Sequence, residues 1–130
     1  MTMQVGAGTI ALDRTPRHFF LAEYDRTLVV FRDGKKIKST PMGVDTGGAG
    51  HMNVYQMDSD TLLTVDRFGM YSVRLSDGTV RLIGNADSFR PQGVFMGGFD
   101  TVREESGRRV YRFLPAAERE EIPVEPAGLG

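Results

Sequence analysis

Thr61-Leu62-Leu63-Thr64-Val65, Arg67-Phe68-Gly69, Met70-Tyr71-Ser72-Val73-Arg74-Leu75, Ser76-Asp77-Gly78, Thr79-Val80-Arg81-Leu82-Ile83 is the stretch whose reading decides the fold. Short runs rich in β-branched and apolar residues alternate with Gly- and Asp-containing breaks. In the middle run Tyr71, Val73 and Leu75 share one face, the period-2 signature of a half-exposed strand. Asp77-Gly78 supplies the positive φ angles that tight hairpins need. A further apolar-rich run, residues 52–57, precedes the stretch and is separated from it by Asp58-Ser59-Asp60. Four short strands joined by short turns make a β-meander.

A phrase in this unit recurs. It reads Tyr24-Asp25-Arg26-Thr27-Leu28, then Asp58-Ser59-Asp60-Thr61-Leu62, then Phe99-Asp100-Thr101-Val102, with the threonines 34 and 40 residues apart. A spacing of that size marks a repeated supersecondary unit, with a chain-reversing Asp in each copy. The first copy runs through residues 17–24, 27–32, a turn at Asp33-Gly34, and 36–40, with residues 9–12 as an extra strand. The third runs through 93–99, 101–103, a charged turn at 104–107, 108–114, and a last strand at 118–124. Leu28-Val29-Val30-Phe31 and Leu62-Leu63 are apolar at successive positions, so both faces of those strands require cover.

In this pattern the chain resembles β-propeller blades over residues 17–124. The Trp-Asp phrase of WD40 blades is absent. The resemblance implies an all-β domain of about three consecutive four-stranded antiparallel meanders. A single β-barrel or sandwich is the alternative architecture. A short helix over residues 114–121 is a minor alternative for that segment, with Pro115 in its first turn. A closed propeller takes at least four blades, so three blades would leave two apolar sheet faces bare and call for self-association.

The chain has 130 residues, 40% apolar and 25% charged, which suits one domain with a packed core. Its ends, residues 1–8 and 122–130, read as arms held by neighbouring chains or by their own domain. Cysteine is absent, so disulfide and thiol chemistry are excluded. A net charge of −1 gives no basic face for nucleic acid. Lys35, Lys36 and Lys38 lie together beside Arg32, as on a protected edge strand. No run is long enough to cross a bilayer and the N-terminus lacks a secretory pattern, so a soluble protein of cytoplasmic synthesis is expected.

Residues with chemistry are sparse. His18 and His51 have no ligand at metal spacing, and no metal or other cofactor is expected. Asp58-Ser59-Asp60 lacks the remaining ligands of a calcium loop and reads as turn chemistry. The Gly-rich stretch 43–50 lacks the Lys-Ser/Thr of a P-loop. Its Asp45-Thr46-Gly47 is similar to the triplet of retroviral-type aspartic proteases, without that family's flanking apolar strands. No serine sits in a nucleophile elbow. The sequence therefore points to a non-enzymatic structural or assembly protein that forms a symmetric oligomer or joins a large particle; a bacteriophage virion component is one concrete form. The alternative is a module for a small ligand, carbohydrate or peptide. Its face would be loops 40–51 and 85–92, with Phe89, Arg90, Gln92, Asp45 and His51 as contacts.

Overall fold

The computed structural model describes residues 2–5, 8–16, 24–45, 51–84, 93–118 and 120–122. Every regular element among them is a β-strand. In chain order these are β1 (Thr2–Val5), β2 (Gly8–Pro16), β3 (Tyr24–Arg32), β4 (Lys35–Asp45), β5 (Met52–Gln56), β6 (Thr61–Asp66), β7 (Gly69–Arg74), β8 (Val80–Gly84), β9 (Val94–Arg103) and β10 (Arg109–Pro115). They form two antiparallel sheets, one ordered β1-β2-β3-β4 and the other β10-β9-β5-β6-β7-β8. The sheets face one another across a shared core. Ile10, Leu12, Leu28, Val30 and Met42 come from the first, and Met52, Val54, Leu62, Val73, Leu75 and Phe99 from the second and its turns.

The quoted stretch folds as read: β5, β6, β7 and β8 are hydrogen-bonded in sequence order. Each turn has a chemical cause. After β5, the Asp58 carboxylate accepts the Asp60 N–H at 2.8 Å. That bond is the main reason its pKa lies below the usual carboxylate value. Between β6 and β7, Asp66 Oδ1 accepts the N–H groups of Phe68 and Gly69 at 2.9 and 3.0 Å. Asp first and Gly fourth is the residue pattern of a type I turn. Between β3 and β4, Asp33 and Gly34 both have positive φ, 53° and 77°, as a two-residue hairpin of matching twist requires.

The three-meander plan does not survive the pairing. The third copy contributes no sheet of its own: β9 pairs antiparallel with β5, and the β9–β10 hairpin extends the middle meander to six strands. Only the Asp58 copy of the repeated phrase reverses the chain. Asp25 sits within β3, opposite Thr15 and Val44. Asp100 sits within β9, opposite Arg112. Neighbouring strands on both sides of β3 and along β9 satisfy the backbone there, and that outweighs the turn preference of a single Asp. Residues 120–122 are not a strand, and residues 114–115 belong to β10, so neither the last strand nor the short helix is present over the described residues. Most of the strand expected over residues 17–24 lies outside them. With the sheets covering each other, the blade-count argument for bare faces no longer applies.

Burial follows the two-faced reading. Leu28, Val29 and Val30 are all buried, as are Leu62 and Leu63. Tyr71 and Val73 of β7 and the following Leu75 meet the shared core, whereas Arg74 is exposed. Lys35, Lys36 and Lys38 are exposed on β4, an edge strand of the smaller sheet.

Two strand pairings contain a bulge that matters later. Opposite Arg26 of β3, β4 places two residues, Met42 and Gly43, where a regular ladder has one, because Asp25 pairs with Val44 and Thr27 with Pro41. Opposite β5, β9 inserts Met96, because Val54 pairs with Gly97 and Tyr55 with Phe95. Gly97 has φ 131°, and a Cβ there would lie 2.2 Å from the Leu114 carbonyl oxygen. Gly97→Ala is therefore expected to lower unfolding free energy by about 2 kcal/mol or more, from backbone strain together with the clash. Urea denaturation followed by circular dichroism checks this. An unchanged midpoint would show that β9 can shed the bulge.

Candidate functional site

Two polar constellations stand out among the described residues, one between the sheets and one on the outer face of the larger sheet.

The inner one begins with the alternation of β3. Leu28 and Val30 point into the core, so Arg26 points there too, two residues earlier on the same face. On β6 the same rule carries Leu62 to Asp66. The Arg26 guanidinium Nη1 donates to Asp66 Oδ2, joining the two sheets, with Arg26 and Asp66 only 5% and 4% exposed. Nη2 donates to the Met42 carbonyl at 2.9 Å. The Tyr71 hydroxyl also donates to that carbonyl, at 3.3 Å. Met42 lies in the β4 bulge, where its carbonyl serves side chains from both sheets. The Arg26 guanidinium lies 4.9 Å from the centre of the Phe68 ring. Nearby, Arg14 of β2 lies 4.3 Å over the Tyr111 ring of β10.

Both charges of the pair are matched, and Asp66 Oδ1 is used by the turn N–H groups. Arg26 Nε is buried without a hydrogen-bond partner among the described residues, but with both charges paired the cluster is a structural pin more than a site open to a ligand. Burial pushes the Tyr111 hydroxyl above the ordinary tyrosine range, against the pull of Arg14. Burial likewise raises Tyr71.

The outer constellation is built on β5. Met52 and Val54 face the core, so Asn53 and Tyr55 face outward. There Tyr55 joins Leu63 and Val65 in a second buried apolar cluster, with Met57, Met70 and Phe95 packed against it. The Tyr55 and Phe95 ring centres are 5.7 Å apart. The C-terminal segment meets this face. Asn53 Nδ2 donates to the Ile122 carbonyl at 2.7 Å. His51 Nε2 is 2.7 Å from the same oxygen. A carbonyl only accepts, so the ring holds a proton on Nε2. The Tyr55 hydroxyl donates to the Glu121 carboxylate. Burial first, and then this bond, raise its pKa above the ordinary range.

His51 is therefore the one proposed contact residue whose side chain is placed, and it holds the chain's own tail. Asp45 ends β4, and nothing further is described of it. Phe89, Arg90 and Gln92 lie outside the described residues. Sequence reading missed Asn53, Tyr55 and Glu121. The available signal was the alternation Met52-Asn53-Val54-Tyr55, which puts two hydrogen-bonding side chains on one face of an otherwise apolar strand.

A third feature is an edge. β8 ends the larger sheet. Of the other edge strands, β4 carries Lys35, Lys36, Lys38 and Pro41 and β10 carries Arg109, Arg112 and Pro115, while β1 carries neither charge nor proline. β8 instead presents Leu82 at 63% and Ile83 at 51% exposure. Leu82 stands opposite Tyr71 on the core-facing side, and Ile83 occupies a bulge.

Among the described residues no group of three or more His, Cys, Asp or Glu side chains is placed to hold a metal. Among them no helix is long and apolar enough to cross a membrane. Comparison with protein-family models, with curated proteins and with solved structures gave no match.

Removing one partner of the inner pin leaves a buried unpaired charge, so Asp66→Ala is expected to cost about 3–5 kcal/mol of unfolding free energy. The double variant Arg26→Met/Asp66→Leu is expected to recover more than half of that loss. Asp66's separate role in the turn leaves a residual deficit of about 1 kcal/mol. Denaturant titration of the singles and the double decides it, and simply additive losses would show that the two charges are not coupled.

The tyrosines give a pH dependence. Tyr55, Tyr71 and Tyr111 hold their protons above the ordinary tyrosine value of about 10 in the folded state. Above that pH the unfolded chain binds fewer protons than the folded one, so stability falls as pH rises. It is fully present below about pH 10. Thermal melts between pH 8 and 12, alongside ultraviolet titration of phenolate, are expected to show this fall, with most phenol ionisation coinciding with unfolding.

Proposed function

We propose that this protein is a non-enzymatic assembly module that associates with copies of itself to form a symmetric oligomer or part of a larger particle. The observation that carries the reading is the β8 edge, with Leu82 and Ile83 exposed on a strand that has neither the lysines of β4 nor the prolines of β4 and β10. An edge strand presents unpaired N–H and C=O groups, and proteins that remain single usually blunt such edges with charge. Apolar side chains on an unpaired edge favour strand addition, where main-chain bonds give affinity and side chains give specificity.

A second copy of β8 is the simplest occupant. Antiparallel pairing about a two-fold axis presents the same patch from both chains. Centred on Leu82, it sets Leu82 against its own counterpart and Arg81 against Ile83, so the arginines do not oppose one another. The strand spans only residues 80–84 and holds the Ile83 bulge within that span. The contact is therefore short and its strength concentration-dependent.

Light scattering on a size-exclusion column tests this. The expected mass is at least twice the 14.4 kDa of one chain and falls on dilution. Leu82→Lys is expected to shift the population towards single chains without lowering thermal stability. A concentration-independent single-chain mass would overturn the reading.

A further inference from the structure

The outer face of β5 recognises a peptide, and the peptide in place is the chain's own. We propose that this face is a second self-association site, and that its occupant in the assembly is the Glu121–Ile122 segment of a neighbouring copy. The inference rests on the self-association reading above and adds to it the residues of a second contact.

The recognition is specific in kind. One carbonyl, that of Ile122, takes two donors, His51 Nε2 and Asn53 Nδ2, each at 2.7 Å. One carboxylate, that of Glu121, takes the Tyr55 hydroxyl. Asn53 is 2% exposed, so its amide is committed to this face. Its Oδ1 is buried and has no partner among the described residues, which leaves an acceptor for a further N–H of an extended segment. The ligand so defined is an acidic side chain followed by a residue that offers its backbone carbonyl.

The attachment of the segment allows exchange. β10 ends at Pro115, and the exposed turn after it is closed by Ala116 N–H to the Met96 carbonyl at 3.0 Å and Glu118 N–H to Pro115 at 2.8 Å. The first of these uses the carbonyl of the β9 bulge. From β10 to β5 is two strand spacings, about 10 Å. Four residue steps, from Glu118 to Ile122, can span at most roughly 13 Å, which is enough to reach β5 of the same chain. Opening the turn lets it reach the same face of a neighbour and make identical bonds. Exchange of an identical element between copies is a low-cost route to association. The β8 edge and the β10 end of this sheet are opposite, so one copy can use both contacts and assembly can pass beyond a pair.

The test exploits the absence of cysteine. A His51→Cys chain and an Ile122→Cys chain, co-expressed and purified together, are treated with a short bismaleimide and run on a denaturing gel. Ile122→Cys keeps the backbone carbonyl that β5 grips, and Asn53 and Tyr55 remain. A cross-linked pair at twice the single-chain mass is expected, and adding Asn53→Ala to the His51→Cys chain is expected to reduce it several-fold. The doubly substituted chain reports on folding, because an internal cross-link or a cross-linked pair requires the site to form. A co-purified oligomer that yields no pair, while the double variant links only within itself, would overturn this inference and leave the β8 reading standing. A single-chain mass in light scattering would overturn both.

Discussion

The buried ion pair between Arg26 and Asp66 fixes how the two sheets face each other. Taking both charges out of water costs several kcal/mol per ion, and only close pairing with further hydrogen bonds offsets it. The fold supplies them through the Met42 carbonyl on one side and the turn N–H groups of Phe68 and Gly69 on the other. A one-residue slip of β3 would send Arg26 outward together with Leu28 and Val30, exposing the core and stranding Asp66. The apolar contacts alone tolerate some sliding between sheets, since hydrophobic attraction is not directional. The ion pair does not.

That demand explains the bulge in β4. At the bulge the Met42 carbonyl accepts from Arg26 and Tyr71. In β9 the bulge lies on the β5 side only, and on the other side the Met96 carbonyl accepts the Ala116 N–H in the unbroken register of the β9–β10 pair. In β4 an irregularity in pairing makes a strand carbonyl an anchor for side chains outside the ladder. Bulges of this kind re-aim groups and end pairing.

The middle meander was legible because each of its turns carries its own chemistry: Asp58 to Asp60, Asp66 with Gly69, and Gly78 with φ 77°. The rest was not, for a physical reason. Asp25 and Asp100 look like turn residues by type, but a residue's type does not reveal whether a partner strand lies beside it. The pairing of β9 with β5 spans some 40 residues and leaves no local trace, so the third copy of the phrase suggested a separate sheet. The ion pair was hidden in the same way. Arg26 and Asp66 are 40 residues apart, and each alone resembles an ordinary polar residue beside a turn. The outer site on β5 was half visible, in that His51 was singled out, but for a loop face and not for the tail it holds.

Unequal sheets set where the surface is unfinished. Six strands lie against four, so the core-facing side of the larger sheet outruns its cover, and Leu82 of β8 remains 63% exposed opposite the partly buried Tyr71. The outer face of the same sheet has the reverse character: Tyr55, Leu63 and Val65 are buried although they point away from the core, and the tail bonds to Tyr55. One sheet therefore has an apolar edge without cover and an apolar outer patch whose polar rim grips a peptide. Burial of exposed apolar surface is favourable wherever the geometry allows it. Leu82 cannot be covered by widening the smaller sheet, because β4, its edge strand, ends the order there and carries exposed Lys35, Lys36 and Lys38. Another chain can cover it, and the turn that delivers the tail to β5 can deliver it to a neighbour by the same bonds.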